Sequence, residues 1–428
     1  MELNTRLDRD RFSWMSRDLT SADHASLLIE VTAPALPQPT TTVATNLVVV
    51  LDRSGSMGGG RLAHAQQALC DIVDRLTPHD TFGLVTFDTK VELPVPACPV
   101  RDPEAIKRAI RGVTARGGTD LASGLVRGLK EARRLEAETG VRVLLVSDGH
   151  ANSGVTDPVV LGNRTGEYVE HRITTSTLGM GLGYDEALLG AIARQGSGNE
   201  HFAEEADTAA GAIGTECGEL LGQRFLSVRL SVTCGHGVEG VKVLNEYAAH
   251  PINEGIALEL GNFAAEQTKS VVLQFGARTA PKPGRRKIAT VRLAWVLADD
   301  LSDQSAQTTV WAKIAGHADK PARIDRDVAA EVVFQVVQRR KRRASEALMH
   351  CDVESAKHRY QQALRSLQKH LPKVPAERRH EFEHDIAFVK DALLRLERDT
   401  HEDRMFVSKS MSANLSAMSR TRDRRRSG

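Results

Sequence analysis

Between residues 45 and 224 the apolar positions alternate between two periods. Leu47 to Leu51 is an unbroken apolar run that ends in Asp52, and a short run of this kind predicts a strand buried on both faces of a parallel sheet. Leu62, Ala65, Leu69, Ile72, Val73 and Leu76 then share one stripe of a helix that Pro78 closes. Residues 81–87 and 91–97 flank Asp88-Thr89-Lys90 as a hairpin, and Pro94 and Pro96 suit only an edge strand. Helices at 103–110 and 121–138 lead to a second buried strand at 141–146. A strand at 173–179, a helix at 185–195, a short strand at 201–203 and a helix at 208–223 complete the series. Strands alternating with helices predict an α/β domain with a doubly wound, mostly parallel six-stranded sheet over 45–224.

The period changes on either side of this domain. Residues 225–320 read as short alternating strands separated by Gly, Asn and Pro turns, with no helical pattern between them, which predicts an antiparallel β-sandwich. A strand at 24–33 precedes the α/β domain, and Pro34, Pro37 and Pro39 part it from that domain. Residues 24–44 are therefore assigned to the sandwich as a strand plus linker, so the α/β domain is inserted into the β domain. From 321 to 399 the apolar spacing becomes helical, in three stripes that predict a helical hairpin or three-helix region. Residues 1–23 lack periodicity and are expected to be loosely ordered. Residues 400–428, rich in Ser and Arg, are expected to be a basic disordered tail.

Composition narrows the class. With 41% apolar, 26% charged and 4% aromatic residues the chain is globular, and it has no apolar run long enough to span a bilayer. The N-terminal residues carry charges and no apolar h-region, so a cytoplasmic location is expected. Five scattered cysteines without a CxxC pair argue against a disulfide framework and a structural zinc site. The net charge is +2, but residues 321–428 hold 24 Lys and Arg against 16 Asp and Glu. That surplus suggests an anionic partner, an intramolecular contact or a solvated helical face. The run Arg339 to Arg343 raises nucleic-acid binding as an alternative, but no aromatic residues interleave with it.

The candidate chemistry sits where strands end. Asp52, Ser54 and Ser56 follow the first buried strand, Thr119-Asp120 precedes a helix, and Asp148-Gly149 follows the strand VRVLLV. Neighbouring parallel strands bring 52 and 148 to one rim, the place where open α/β sheets bind ligands. Asp52, Ser54, Ser56, Thr119 and Asp148 offer only oxygens, a donor set for Mg²⁺, with Ca²⁺ or Mn²⁺ as alternatives, and not for zinc or copper. Asp120 is read as an N-cap for the following helix. His150 follows the Asp148-Gly149 turn and stands near the same rim. The stretch Gly179-Met180-Gly181-Leu182-Gly183 lacks the full GxGxxG spacing and is read as a tight turn. No P-loop and no nucleophile–base pair is visible, so an enzyme is not expected.

The ordered set of DxSxS at 52–56, the Thr of GGTD and the Asp of SDG resembles the von Willebrand factor A domain, in its bacterial intracellular form, with a metal-ion-dependent adhesion site. The resemblance covers about 45–225, and residues 178–185 are also similar to a common segment of that family. It implies that Ser54 and Ser56 ligate the cation directly and that Thr119 does so directly or through water. Asp52 and Asp148 would act through water or hydrogen bonds. A cation held by neutral hydroxyls keeps a position for a carboxylate from a partner. The expected function is a non-catalytic adaptor or scaffold that binds an acidic residue of a protein partner through Mg²⁺, without a membrane. The alternatives are an accessory subunit of an AAA+ ATPase of chelatase or MoxR type, and an RNA-binding protein acting through its basic C-terminus.

Overall fold

The chain starts in a different sheet from the one that its longest apolar run organises. β1 (Glu2–Leu7), β2 (Arg11–Phe12) and β3 (Ala25–Thr32) come first, and β3 pairs antiparallel with both β1 and Thr268–Ala277. The computed structural model describes residues 1–12, 24–35, 44–135, 137, 139–149, 151–181, 183–203, 223–245, 247–277, 283–298, 302–314, 322–398 and 400–420. Residues 1–23 were expected to be loosely ordered, and within 1–12 they instead form two strands. β1 has little apolar pattern of its own, and its register comes from backbone pairing to β3, where seven of eight positions are buried.

The α/β domain runs through β4 (Asn46–Asp52), α1 (Arg61–Val73), β5 (Thr81–Phe87), β6 (Val91–Pro99), α2 (Pro103–Arg111) and α3 (Leu121–Arg134). It continues through β7 (Val141–Ser147), α4 (Pro158–Gly166), β8 (Ile173–Met180), α5 (Glu186–Gln195) and β9 (Ser197–Ala203). The sheet order is β6-β5-β4-β7-β8-β9, parallel throughout except for β6 at the edge. β4 shows the two-residue period of a strand covered on both faces. Leu47, Val49 and Leu51 join Leu69 and Leu144 in one core, while Val48 and Val50 join Leu125 and Leu145 in the other.

Helix α3 lies against the sheet through two glycines one turn apart. A Cβ on Gly128 would stand 2.2 Å from Val50 Cγ2, and one on Gly124 would stand 2.6 Å from the Phe87 ring. Only hydrogen fits at either place. Helix α4 has no counterpart in the apolar pattern, because Val159 and Val160 face outward and break the stripe. Its start is nevertheless written in Asp157-Pro158, an N-cap followed by proline at the first helical position. The helix expected over 208–223 lies outside the described residues but for Gln223, which opens the next strand.

Beyond the α/β domain follow β10 (Gln223–Cys234), β11 (Val238–Val243), β12 (Ala248–Ile252), β13 (Gly255–Ala264), β14 (Thr268–Ala277), β15 (Gly284–Leu297) and β16 (Asp303–Ile314). They form sheets of order β1-β3-β14-β11 and β12-β13-β10-β15-β16-β2, antiparallel save for the two-residue pairing of β16 with β2. Leu27, Ile29, Val271 and Leu273 from the first sheet share one core with Leu230, Val232, Val291 and Leu293 from the second.

Four helices close the described chain: α6 (Arg326–Met349), α7 (Val353–His370), α8 (Arg379–Arg398) and α9 (His401–Arg420). Where a disordered tail was expected, α9 packs Val407 and Met411 into a core with Leu348, Tyr360 and Leu396. The apolar residues of this segment are too sparse for a stripe, and polar side chains complete the docking. Lys409 lies over the Tyr184 ring at 4.1 Å and contacts Glu186 Oε2 at 2.7 Å, and it also donates to Tyr184 O. Within the basic run 339–343 one residue departs from a solvated face: Lys341 is fully buried and pairs with Asp385 at 2.6 Å, while Arg343 is exposed. Residues 421–428 lie outside the description. Among the described residues no helix is long and apolar enough to cross a membrane.

Candidate metal centre

The C-terminal ends of β4 and β7 lie side by side and deliver Asp52 and Asp148 to one rim of the sheet. Asp52 is fully buried. Its Oδ1 accepts from the Ser54 backbone N–H at 2.7 Å, and its Oδ2 accepts from Ser147 Oγ at 2.6 Å. Burial raises its carboxyl to about 6, against the opposing pull of those hydrogen bonds, and the nearby charge of Asp148 adds to the rise.

From Asp52 the backbone turns so that Ser54 Oγ and Ser56 Oγ come within 3.0 Å of each other. Ser56 donates to Asp148 Oδ1 at 2.7 Å, and Arg61 holds Asp148 Oδ2 at 2.9 Å while also donating to Ser56 O. Ser54, Thr119 and Asp148 are buried and Ser56 is exposed, so the cluster opens to solvent on one side. Gly149 ties the third segment in. A Cβ there would lie 3.4 Å from Ser56 Oγ and 3.6 Å from Thr119 Oγ1, so the Asp148-Gly149 turn stands in contact range of both hydroxyls.

The loops are stapled by main-chain bonds. Gly55 N–H donates to Gly117 O, Arg116 N–H to Arg53 O, and Asp120 N–H to Asp88 O. Beneath them Asp88 accepts from Lys90 N–H and contacts Arg53 Nε at 2.9 Å and Arg116 Nε at 3.0 Å. Burial works to raise the Asp88 carboxyl, but the Lys90 N–H and the two guanidinium groups outweigh it and hold it below the usual range.

All five sequence candidates thus stand in one loop cluster. Asp120 accepts from Ser123 N–H at 3.0 Å and caps α3, while His150 falls outside the described residues. Four participants were missed. Ser147 fixes Asp52, Asn152 accepts from Thr119 N–H at 2.9 Å, Arg61 grips Asp148, and Asp88 anchors both loops. Ser147 had a signal, since it breaks an apolar run one residue before the aspartate. Arg61 had none. Among the described residues no three His, Cys, Asp or Glu side chains are grouped to hold a metal. The donors assembled here are hydroxyls supported by two carboxylates, which suits a hard cation.

Comparison with known proteins agrees with this geometry. Residues 47–150, which span all five candidates, match the sequence profile of the von Willebrand factor type A domain. The chain contains a von Willebrand factor type A domain. The chain is also similar to the uncharacterized protein sll0103 of Synechocystis sp., 32% identical over 160 residues. It is similar as well to the human inter-alpha-trypsin inhibitor heavy chain H4, 29% identical over 183 residues. These matches cover 37% and 40% of this chain, and only 37% and 20% of the two relatives. In fold the whole chain is similar to a von Willebrand factor type A protein from Catenulispora acidiphila, with a TM-score of 0.74 at 16% identity, covering 98% of this chain and 97% of that one. It is also similar to the ArnB paralog VWA2 from Sulfolobus acidocaldarius, with a TM-score of 0.64 at 16% identity, covering 96% and 98%. The likeness therefore extends past the A domain to the sheets and helices around it.

Proposed function

We propose that this chain is a non-catalytic interaction module whose A domain holds Mg²⁺ and grips an acidic side chain of a protein partner. A von Willebrand factor type A domain commonly mediates protein–protein interaction, and one observation carries the finer reading. The carboxylates of Asp52 and Asp148 are engaged by Ser147, the Ser54 N–H, Ser56 and Arg61, so both already act as positioning groups. Ser54, Ser56 and Thr119 would then be the atoms that touch the ion, through neutral hydroxyls. A dication held by neutral oxygens keeps most of its charge, and a partner carboxylate reaching the exposed side of the cluster would supply the anion.

The test is affinity capture with the full chain, in Mg²⁺ and in EDTA, alongside Ser54→Ala and Asp52→Ala. Proteins retained by the native chain in Mg²⁺ should be lost in EDTA and by both variants. Equal capture under all conditions would overturn the reading.

A further inference from the structure

Helix α4 presents an oddity of the surface. Val155, Val159 and Val160 are 46%, 68% and 51% exposed, three of the seven large apolar side chains exposed among the described residues. Val155 and Val160 line an open groove of about 800 Å³ between α3 and α4. Its floor includes Val126 and Leu161, and its α3 wall runs from Ser123 to Lys130. Exposed apolar side chains that gather beside a groove mark an interaction site more often than scattered ones do.

None of the five site residues lines the groove, but its Gly154 end belongs to a loop tied to Thr119. Thr119 N–H donates to Asn152 Oδ1 at 2.9 Å, and Asn152 N–H returns a bond to Thr119 O at 3.1 Å. Two residues on, a Cβ at Gly154 would lie 2.5 Å from Asp120 Oδ1, so the loop carrying Val155 is pressed against the Thr119-Asp120 turn. The groove then follows α3 for roughly 10 Å, a span that about three residues of extended chain would fill.

Its rim is basic. Arg127, Lys130 and Arg164 line it with Glu167 as the one acidic member. Glu167 holds Arg164 at 2.6 Å and Glu131 stands 3.8 Å from Arg127, while Lys130 forms no ion pair among the described residues. Positive charge at the far end and an anion-seeking site at the near end select the same kind of occupant.

We propose that this groove is the continuation of the cation site and receives the partner segment that bears the acidic residue. The segment would carry a carboxylate for the cation, then apolar residues for the valine surface, then a second carboxylate for Lys130. The inference rests on the cation reading above, and the two can fail separately.

Random peptides displayed on phage would be selected on the full chain in Mg²⁺, and the winners remade as fluorescein-labelled peptides for anisotropy. Selected sequences should place acidic residues on both sides of an apolar pair. Binding should weaken about tenfold or more in Val160→Asp, in Lys130→Glu and in Ser54→Ala. Val160 and Lys130 are exposed, so unchanged melting temperatures of their variants will show that the fold is kept. Binding lost in Ser54→Ala but unaltered in Val160→Asp and Lys130→Glu overturns the groove and leaves the cation reading standing. Binding lost in the groove variants but indifferent to EDTA and Ser54→Ala overturns the cation reading and the proposed continuity with it. A selection yielding no peptide sensitive to Val160→Asp overturns the groove as well.

Discussion

Ionising Asp52 inside the sheet is unfavourable, and its carboxyl stands at about 6 against an ordinary 3.8. The folded chain therefore holds a proton that the unfolded chain releases across that window. Stability should fall as pH rises from about 4 to about 6 and then level off, by about 3 kcal/mol for this one group. In EDTA, Asp52→Asn should flatten that part of the curve and raise the melting temperature at pH 7, a result calorimetry between pH 4 and 8 would test. The same variant should lose cation-dependent capture, which separates its positioning role from any effect on folding. At this scale the sequence was informative about donors and poor about their supports. Ser54, Ser56, Thr119 and Asp148 belong to short spaced motifs. Arg61 and Asn152 reach the site through side-chain conformations and loop paths that no local spacing encodes.

Among the elements, α3 and α9 hold the A domain in contrasting ways. α3 depends on missing side chains, and Gly128→Ala should destabilise the domain by about 1–3 kcal/mol in urea titrations, because Val50 and the backbone must shift to admit one methyl group. α9 depends on a buried cation. Lys409 is fully buried and meets Glu186, which also accepts from Ser408 Oγ. Removing one member leaves a buried charge uncompensated, so Lys409→Ala should cost about 3–5 kcal/mol. The double variant Lys409→Met with Glu186→Gln should recover most of that loss in the same measurement. These two helices show why legibility varied. The apolar stripes of α1 and α3 reach the core and could be read from spacing. The valines of α4 face outward and α9 docks through polar groups, so neither follows a stripe.

For the whole molecule, the strand periods located the parallel sheet and most of the antiparallel strands, and the Pro-rich break after β3 signalled that this one strand belongs elsewhere. β12, β1 and the two-residue β2 escaped notice because their sequences carry little apolar pattern. Since β14 pairs with β3, deleting residues 1–35 should strip one sheet of β1 and β3 and the other of β2 while leaving the chain of the A domain intact. Limited proteolysis of that variant should digest 223–314 first and spare a fragment containing 45–203. The pairing of β3 with β14 also sets a schedule for synthesis. Thr32 meets Thr268 across the sheet, so a strand made at the start must wait for one made more than two hundred residues later. At about 5–20 residues per second the wait is on the order of 10–50 s, during which β3 offers the unpaired edge carrying Leu27, Leu28, Ile29 and Val31 to any nascent neighbour. The A domain, emerging in that interval, can fold at once between two partners that have not yet met. A crowded ribosome is therefore a hazard for this protein that its finished structure conceals.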